Sequence, residues 1–294
     1  AKPTPVLASP VPGAALLDHS QPAPTPPDLK LHVLSDFRVE DIFNYINPIM
    51  LYGKHLGLKT PERLLAEGNP KAVELYRRVR EMQDDIIAAG TIKPKAVFRF
   101  FPAQSEDDTL VLSNSLSNAA VLETFSFPRQ TTGDGLCLSD FIAPKSSGKI
   151  DFVAMFALTC GEGIRALSEK YRDDGEYLKS HALQAIAIES AEAFAELLHE
   201  RLRAMWGFAD APSLTLKEKF QARYRGLRVS FGYPACPNLE DQKKLFRLLE
   251  PEKHAGIVLT EGMMMEPEAS VSALVFHHPK ARYFAVSAPA ESAV

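Results

Sequence analysis

The segment Arg225–Pro237 reads R-G-L-R-V-S-F-G-Y-P-A-C-P and holds the densest run of chemically unusual residues in the chain. Two glycines and two prolines punctuate a stretch too apolar for a plain loop. Gly232-Tyr233-Pro234 and Cys236-Pro237 restrict the backbone at several consecutive positions. A rigid backbone presenting an arginine and a tyrosine is what a small-molecule site needs. Arg228 could clamp a carboxylate through two parallel hydrogen bonds, and Tyr233 could offer a ring and a hydroxyl. The same residues also fit a structural corner with a surface arginine, and spacing alone leaves both readings open.

Other chemical signals are weaker. Gly161-Glu162-Gly163-Ile164-Arg165-Ala166 fits G-x-G-x-x-A and lies between a strand-like run and a helix, where a dinucleotide fingerprint belongs. A second parallel strand ending in an acidic residue should follow about 20 residues on, but the pattern there is a long helix. The loop is therefore read as a tight strand-to-helix turn that needs small residues. His277-His278 are neighbours pointing apart, and His181 and His199 lie far apart on one helix, so each histidine is read as a surface or capped residue. No H-E-x-x-H, G-x-S-x-G or P-loop occurs. No metal ligand and no catalytic residue is assigned.

The elements that must position Arg228 follow from periodicity. Helical spacing runs through Arg38–Tyr52 until Pro48, then Pro61–Ala66, Pro70–Ala89, Glu162–Tyr171, Glu176–Trp206, Leu214–Tyr224 and Leu239–Leu249. Strand patterns cover Ala96–Phe101, Thr109–Leu112, Val121–Phe127, Ile150–Leu158, Ile257–Leu259, Val271–Phe276 and Tyr283–Val286. The acidic turn Ser105–Asp108 predicts an antiparallel hairpin. Strands in runs and helices in runs, without strict alternation, predict an α+β domain built on an antiparallel sheet with helical groups around it. Residues 1–29 differ: eight of the 22 prolines fall before Leu29, so this stretch reads as a semi-rigid interdomain linker, with one domain over 30–294.

Composition narrows the classes. Lys and Arg number 33 against 37 Asp and Glu, giving a net charge of −4, the wrong sign for a nucleic-acid surface. No apolar run approaches the ~20 residues of a membrane span. Three scattered cysteines, Cys137, Cys160 and Cys236, form neither a disulfide framework nor a zinc motif. The expectation is a cytoplasmic domain with no nucleic-acid or membrane partner.

R-x-x-x-G-Y-P-A-C-P resembles the signature of the reactivation domain of cobalamin-dependent methionine synthase. Cys137–Lys145 (CLSDFIAPK), Ala191–Arg203 (AEAFAELLHERLR), Leu259–Phe276 (LTEGMMMEPEASVSALVF), Ala281–Val286 (ARYFAV) and Asn44–Asn47 (NYIN) are similar to the same family in the same order. The resemblance spans about Phe37 to Val286. It implies a C-shaped α+β domain that binds S-adenosylmethionine and donates its methyl group for the reductive reactivation of cob(II)alamin, within a methyltransferase of methionine biosynthesis. An electron from flavodoxin or a related flavoprotein reductase would be coupled to that transfer. The D-x-H-x-x-G signature that binds cobalamin does not occur here, so cobalamin would be carried on a separate domain of the same enzyme, and this domain would not complete the reaction alone.

Residue by residue, the resemblance implies that Arg228 holds the ligand's carboxylate and that Glu192 faces its cationic groups. Tyr233 would stand beside the ligand, and Tyr283 and Phe284 would lie near ribose and adenine. Asn47 stands where the family has an aspartate opposite the ligand's ammonium, so the hydrogen bond can remain while the charge is lost. Val229-Ser230-Phe231 replaces the usual P-A-P. Family chains continue past Y-F-A-V with a helical tail, where this sequence reads Ala288–Val294. These departures also fit a second reading, a non-catalytic ligand-binding docking or regulatory module that kept the fold.

Overall fold

The computed structural model describes residues 17–116 and 120–286. The first sixteen residues of the expected linker and the end from 287 lie outside these. One sheet is built from β1 (His32–Leu34), β2 (Lys95–Glu106), β3 (Thr109–Ser113), β4 (Val121–Ser126), β5 (Asp151–Thr159) and β6 (Leu227–Val229). A separate short hairpin of β7 (Val258–Leu259) and β8 (Met265–Glu266) precedes its last strand, β9 (Ser270–Phe276). The order is β4-β3-β2-β5-β9-β6, with β1 paired to the first half of β2. Every pairing is antiparallel. The fold is α+β with an antiparallel sheet, as the runs of like elements predict.

The sheet is covered on both faces, and the period-2 pleat decides which side chain goes where. β5 is buried at all nine positions. Phe152, Ala154, Phe156 and Leu158 join a core with the helical layer, while Val153, Met155 and Ala157 join a second core with Phe141, Leu245 and Leu249. The helical layer holds α1 (Val39–Phe43), a π-helix (Ile49–His55), α2 (Pro61–Ala66), α3 (Pro70–Ala89), α4 (Ile164–Asp173) and α5 (Tyr177–Met205). α5 runs 29 residues without glycine or proline and crosses the sheet with Phe194, Leu198 and Leu202 inward. α6 (Leu216–Phe220) follows it, and α7 (Gln242–Leu249) and α8 (Pro251–Ala255) cover the other face.

Several expectations are corrected. The Arg38–Tyr52 helix splits: α1 stops at Phe43, and Pro48 stands at the N-terminus of the π-helix rather than after a helix. Proline suits a first turn, where its missing donor is not needed. Leu214–Tyr224 shortens to α6, started by a Thr215–Glu218 capping box. Tyr283–Val286 forms no strand, and β1 forms where none was expected. His199, His277 and His278 are buried, not surface residues. His277 Nε2 lies 2.5 Å from Asp151 Oδ1. Burial pushes the Asp151 carboxyl up, but His277 and the backbone N–H groups of Ala143 and Phe152 outweigh it and hold it below the usual range.

The described part of the expected linker lies along the domain without helix or strand. Proline cannot donate to a ladder, so the carbonyls here find side-chain donors instead. Trp206 Nε1 donates to Pro24 O at 2.8 Å, Lys149 Nζ to His19 O at 2.7 Å, and Arg99 Nε to Leu29 O at 3.0 Å. The G-x-G-x-x-A loop joins β5 to α4 with antiparallel neighbours on both sides of β5, so no parallel unit surrounds it. A Cβ at Gly161 would fall 2.5 Å from Pro267 Cβ, which is the small-residue turn expected there. Among the described residues no helix is long and apolar enough to cross a membrane.

β6 sits at the sheet edge, pairing Leu227, Arg228 and Val229 with Phe276, Val275 and Leu274 of β9. Gly226 delivers the chain to it with φ +93°, and a Cβ there would meet Phe276 O at 2.5 Å. Both the left-handed backbone and the contact with a fixed carbonyl exclude a side chain. Gly226→Ala should therefore destabilise the domain by roughly 2 kcal/mol or more, read as a lower urea midpoint with an unchanged slope.

Candidate functional site

The pleat of β6 turns Leu227 and Val229 into the second core and leaves Arg228 facing the opposite way, toward α5. On α5, Glu189, Glu192 and Glu196 recur at i, i+3 and i+7 and so share one helical face. Arg228 Nη1 lies 3.5 Å from Glu196 Oε2, and Nη2 lies 4.0 Å from Glu192 Oε2. The two carboxylates differ in surroundings: the Glu192 side chain is 51 % exposed and that of Glu196 only 8 %. The guanidinium is thus shared between a buried carboxylate behind it and an exposed one beside it.

These residues line a cleft of about 400 Å³ together with Asn47, Met50 and Lys54 from the π-helix and the turn before it, Phe220 and Tyr233. Four of the six sequence-derived candidates, Asn47, Glu192, Arg228 and Tyr233, meet here. Tyr233 is held at a tight turn, where Cys236 N donates to its carbonyl at 2.8 Å while Ala235 and Cys236 are buried beneath it. Its own side chain stays exposed. Tyr283 reaches the backbone of β6 from the C-terminal segment, its hydroxyl donating to Arg228 O at 2.7 Å, but it does not line the cleft. Phe284 is not brought to the cleft: its ring packs against Phe141 in the second core, with centroids 6.2 Å apart. With no strand over 283–286, neighbouring side chains there are placed by packing rather than by a pleat.

Asn47 Oδ1 accepts from Ile49 N at 3.0 Å, so one of its two acceptor sites already serves the start of the π-helix. The other end of that helix is fixed by His55, whose Nε2 lies 2.8 Å from Glu189 Oε1. Burial pushes the Glu189 carboxyl up, against the opposing pull of His55. Glu200, one turn beyond Glu196, accepts from Tyr45 Oη at 2.7 Å and from Lys219 Nζ at 2.5 Å. It ties the turn carrying Asn47 and the helix carrying Phe220 to α5. Glu189, Glu196 and His55 were not singled out from the sequence, although the helical period counted from Glu192 points to both glutamates.

Charge in the cleft is finely divided. Burial works against the Arg228 charge, but Glu196 foremost, then Tyr224, Tyr283 and Glu192, outweighs it and raises its pKa. Burial pushes the Glu196 carboxyl up despite Arg228 and Arg203. Burial, reinforced by Arg203 and Arg228, holds His199 well below the ordinary imidazole range, so it is neutral. The arrangement offers a cationic fork and an exposed carboxylate side by side, able to receive one anionic and one cationic group of a small ligand. Among the described residues no group of three or more His, Cys, Asp or Glu is placed to hold a metal.

A family model described as "Vitamin B12 dependent methionine synthase, activation domain" matches residues 39–293. A solved structure described as the crystal structure of the MetH reactivation domain bound to AdoHcy is similar to this chain with a TM-score of 0.85 and 34 % identity, covering 91 % of this chain and 84 % of that one.

Arg228 also serves as counter-ion to a buried acid, so it is not free of structural duty. Arg228→Ala strands Glu196 without its partner and should cost roughly 3 kcal/mol. Adding Glu196→Gln removes the stranded charge and should restore most of that loss. Chemical denaturation of the two single variants and the double variant measures this coupling, and strictly additive losses would show that the pair does not interact.

Proposed function

The chain belongs to the family of vitamin B12 dependent methionine synthase activation domains, and from that premise we propose that its α5–β6 cleft binds S-adenosylmethionine. The observation that carries the reading is Arg228 and Glu192 presented 4.0 Å apart at the cleft. An α-amino acid carries a carboxylate and an ammonium on one carbon, and this pair is its charge complement. The planar fork of Arg228 suits a carboxylate bidentately. Glu192, exposed and on the same wall, faces the ammonium and the sulfonium. Tyr233 and Tyr283 flank the fork with aromatic surface. AdoHcy, the ligand of the similar MetH domain, has the same amino-acid end and lacks only the transferable methyl.

The role that follows is methyl donation for the reductive reactivation of cob(II)alamin. Cobalamin, carried on a separate domain of the same enzyme, supplies the methyl acceptor, and flavodoxin or a flavoprotein reductase supplies the electron. This chain's residues bind and orient the donor. Fixing the amino-acid end at Arg228 and Glu192 restricts the sulfonium to the cleft's open side, which gives the proximity a bimolecular methyl transfer needs. The domain acts as a methyltransferase module and works in the cytoplasm.

Binding is tested by titrating AdoHcy. At a hundredfold excess over Kd it should stabilise the chain by about 2.7 kcal/mol, a rise in Tm of roughly 5–10 °C for a domain of this size. No shift at millimolar ligand would contradict the reading. Arg228→Lys keeps a cation beside Glu196 but loses the fork, so binding should weaken by about tenfold or more while Tm without ligand changes little. Asn47→Asp keeps the bond from Ile49 N and adds charge opposite the ammonium. It should tighten binding by roughly fivefold in calorimetry.

A further inference from the structure

Glu196 and the proposed ligand compete for the same guanidinium. Arg228 already stands between two carboxylates at 3.5 and 4.0 Å. A ligand carboxylate would be a third anion on one fork. Glu192, half exposed, gains the ligand's own ammonium as a partner in exchange. Glu196 gains none: its side chain is 8 % exposed, and its Oε1 is buried without a hydrogen-bond partner. A buried carboxylate whose counter-ion is drawn away is costly, and the guanidinium left acting on it, that of Arg203, is already shared with Asp210 although its Nη1 has no hydrogen-bond partner. Arg203 is committed to Asp210 by two bonds of 2.6 and 2.5 Å. Lys219 is held by Glu200, and Glu200 and Asp210 add further negative charge toward Glu196. Neutral His199 supplies none. Tyr45, Tyr224 and Tyr283 also face Glu196, and burial raises each phenol, keeping it uncharged and unable to offset the acid.

We infer that Glu196 governs the charge Arg228 offers to a ligand: as the ligand's carboxylate engages the guanidinium, Glu196 takes up a proton from solvent. Burial already pushes its carboxyl upward before any ligand arrives, and a third carboxylate on the shared fork pushes it further. The inference rests on the reading that the cleft receives an α-amino acid's carboxylate. The sign follows from linkage. A group whose pKa is higher in the bound state favours binding as pH falls through that bound-state value. The effect reaches about tenfold in affinity per pH unit at full linkage and levels off below the free-state value.

The test is calorimetric titration of AdoHcy into this chain, at one pH in phosphate and in Tris, whose ionisation enthalpies differ, and then from pH 8 to pH 6. For the unsubstituted chain, net proton uptake and an affinity rising roughly threefold or more toward pH 6 are expected. Glu196→Gln, an isostere of the protonated acid, should bind at pH 8 as tightly as the unsubstituted chain does at pH 6, with no proton uptake. Glu192→Gln should weaken binding yet keep the uptake. Binding by the unsubstituted chain without proton uptake overturns the inference and leaves the ligand reading intact, and this arm needs no variant to fold. A Glu196→Gln chain that binds more weakly with an unaltered pH profile also overturns it. No binding by the unsubstituted chain removes both.

Discussion

A cation held at the edge of an apolar sheet needs an anion it can keep, and the site is organised around that need. Arg228 lies on a three-residue strand whose flanking side chains are buried. Its guanidinium points into the gap between sheet and helix, where an unpaired charge would be costly. Glu196 meets it from behind and Glu192 from the side. The pairing makes α5 and β6 interdependent: the helix neutralises the strand's charge, and the strand holds that charge at the mouth of a cleft. The geometry is long for a closed ion pair, with Nη1 of Arg228 and Oε1 of Glu196 lacking hydrogen-bond partners. A pair that left none of its capacity unused could not receive a ligand.

The rest of the fold serves this gap. The antiparallel ladder β5–β9–β6 fixes the register that puts Arg228 opposite Val275. Gly226 makes the approach to that register possible. α5 carries a row of four acids along one face, and three of them are anchored to different walls. Glu189 holds the π-helix through His55, Glu196 holds β6 through Arg228, and Glu200 holds Tyr45 and Lys219. Glu192, 4.0 Å from Arg228, is the most exposed of these four. The walls are fixed by the three less exposed acids, and the most exposed one faces the cleft.

Much of this was legible in the sequence, for identifiable reasons. Long periodic runs without breakers gave α3 and α5 close to their observed bounds, and β5 stood out because Phe152, Ala154, Phe156 and Leu158 share one face. The punctuated Arg225–Pro237 segment marked the site because its backbone restriction is written in residue types. What escaped depends on tertiary context. β1 is too short to show a period and exists because β2 offers it a free edge. Tyr283–Val286 has strand-like residues but pairs with no strand, and Phe284 packs on Phe141. The buried histidines looked like surface residues because their partner, as with Asp151 and His277, lies more than a hundred positions away. Glu196 was passed over as one acid among several on a helix, and only the position of Arg228 separates it from the rest.

The proposed role of Arg228 and Glu192 is to receive together the amino-acid end of a sulfonium donor or its demethylated product. A crystal structure of this chain with AdoHcy tests it most directly. Both carboxylate oxygens of the ligand are expected on the Arg228 guanidinium and its amino group on Glu192. A ligand seated elsewhere, or in the cleft with its carboxylate turned away from Arg228 while the Arg228–Glu196 pair stays closed, would contradict it.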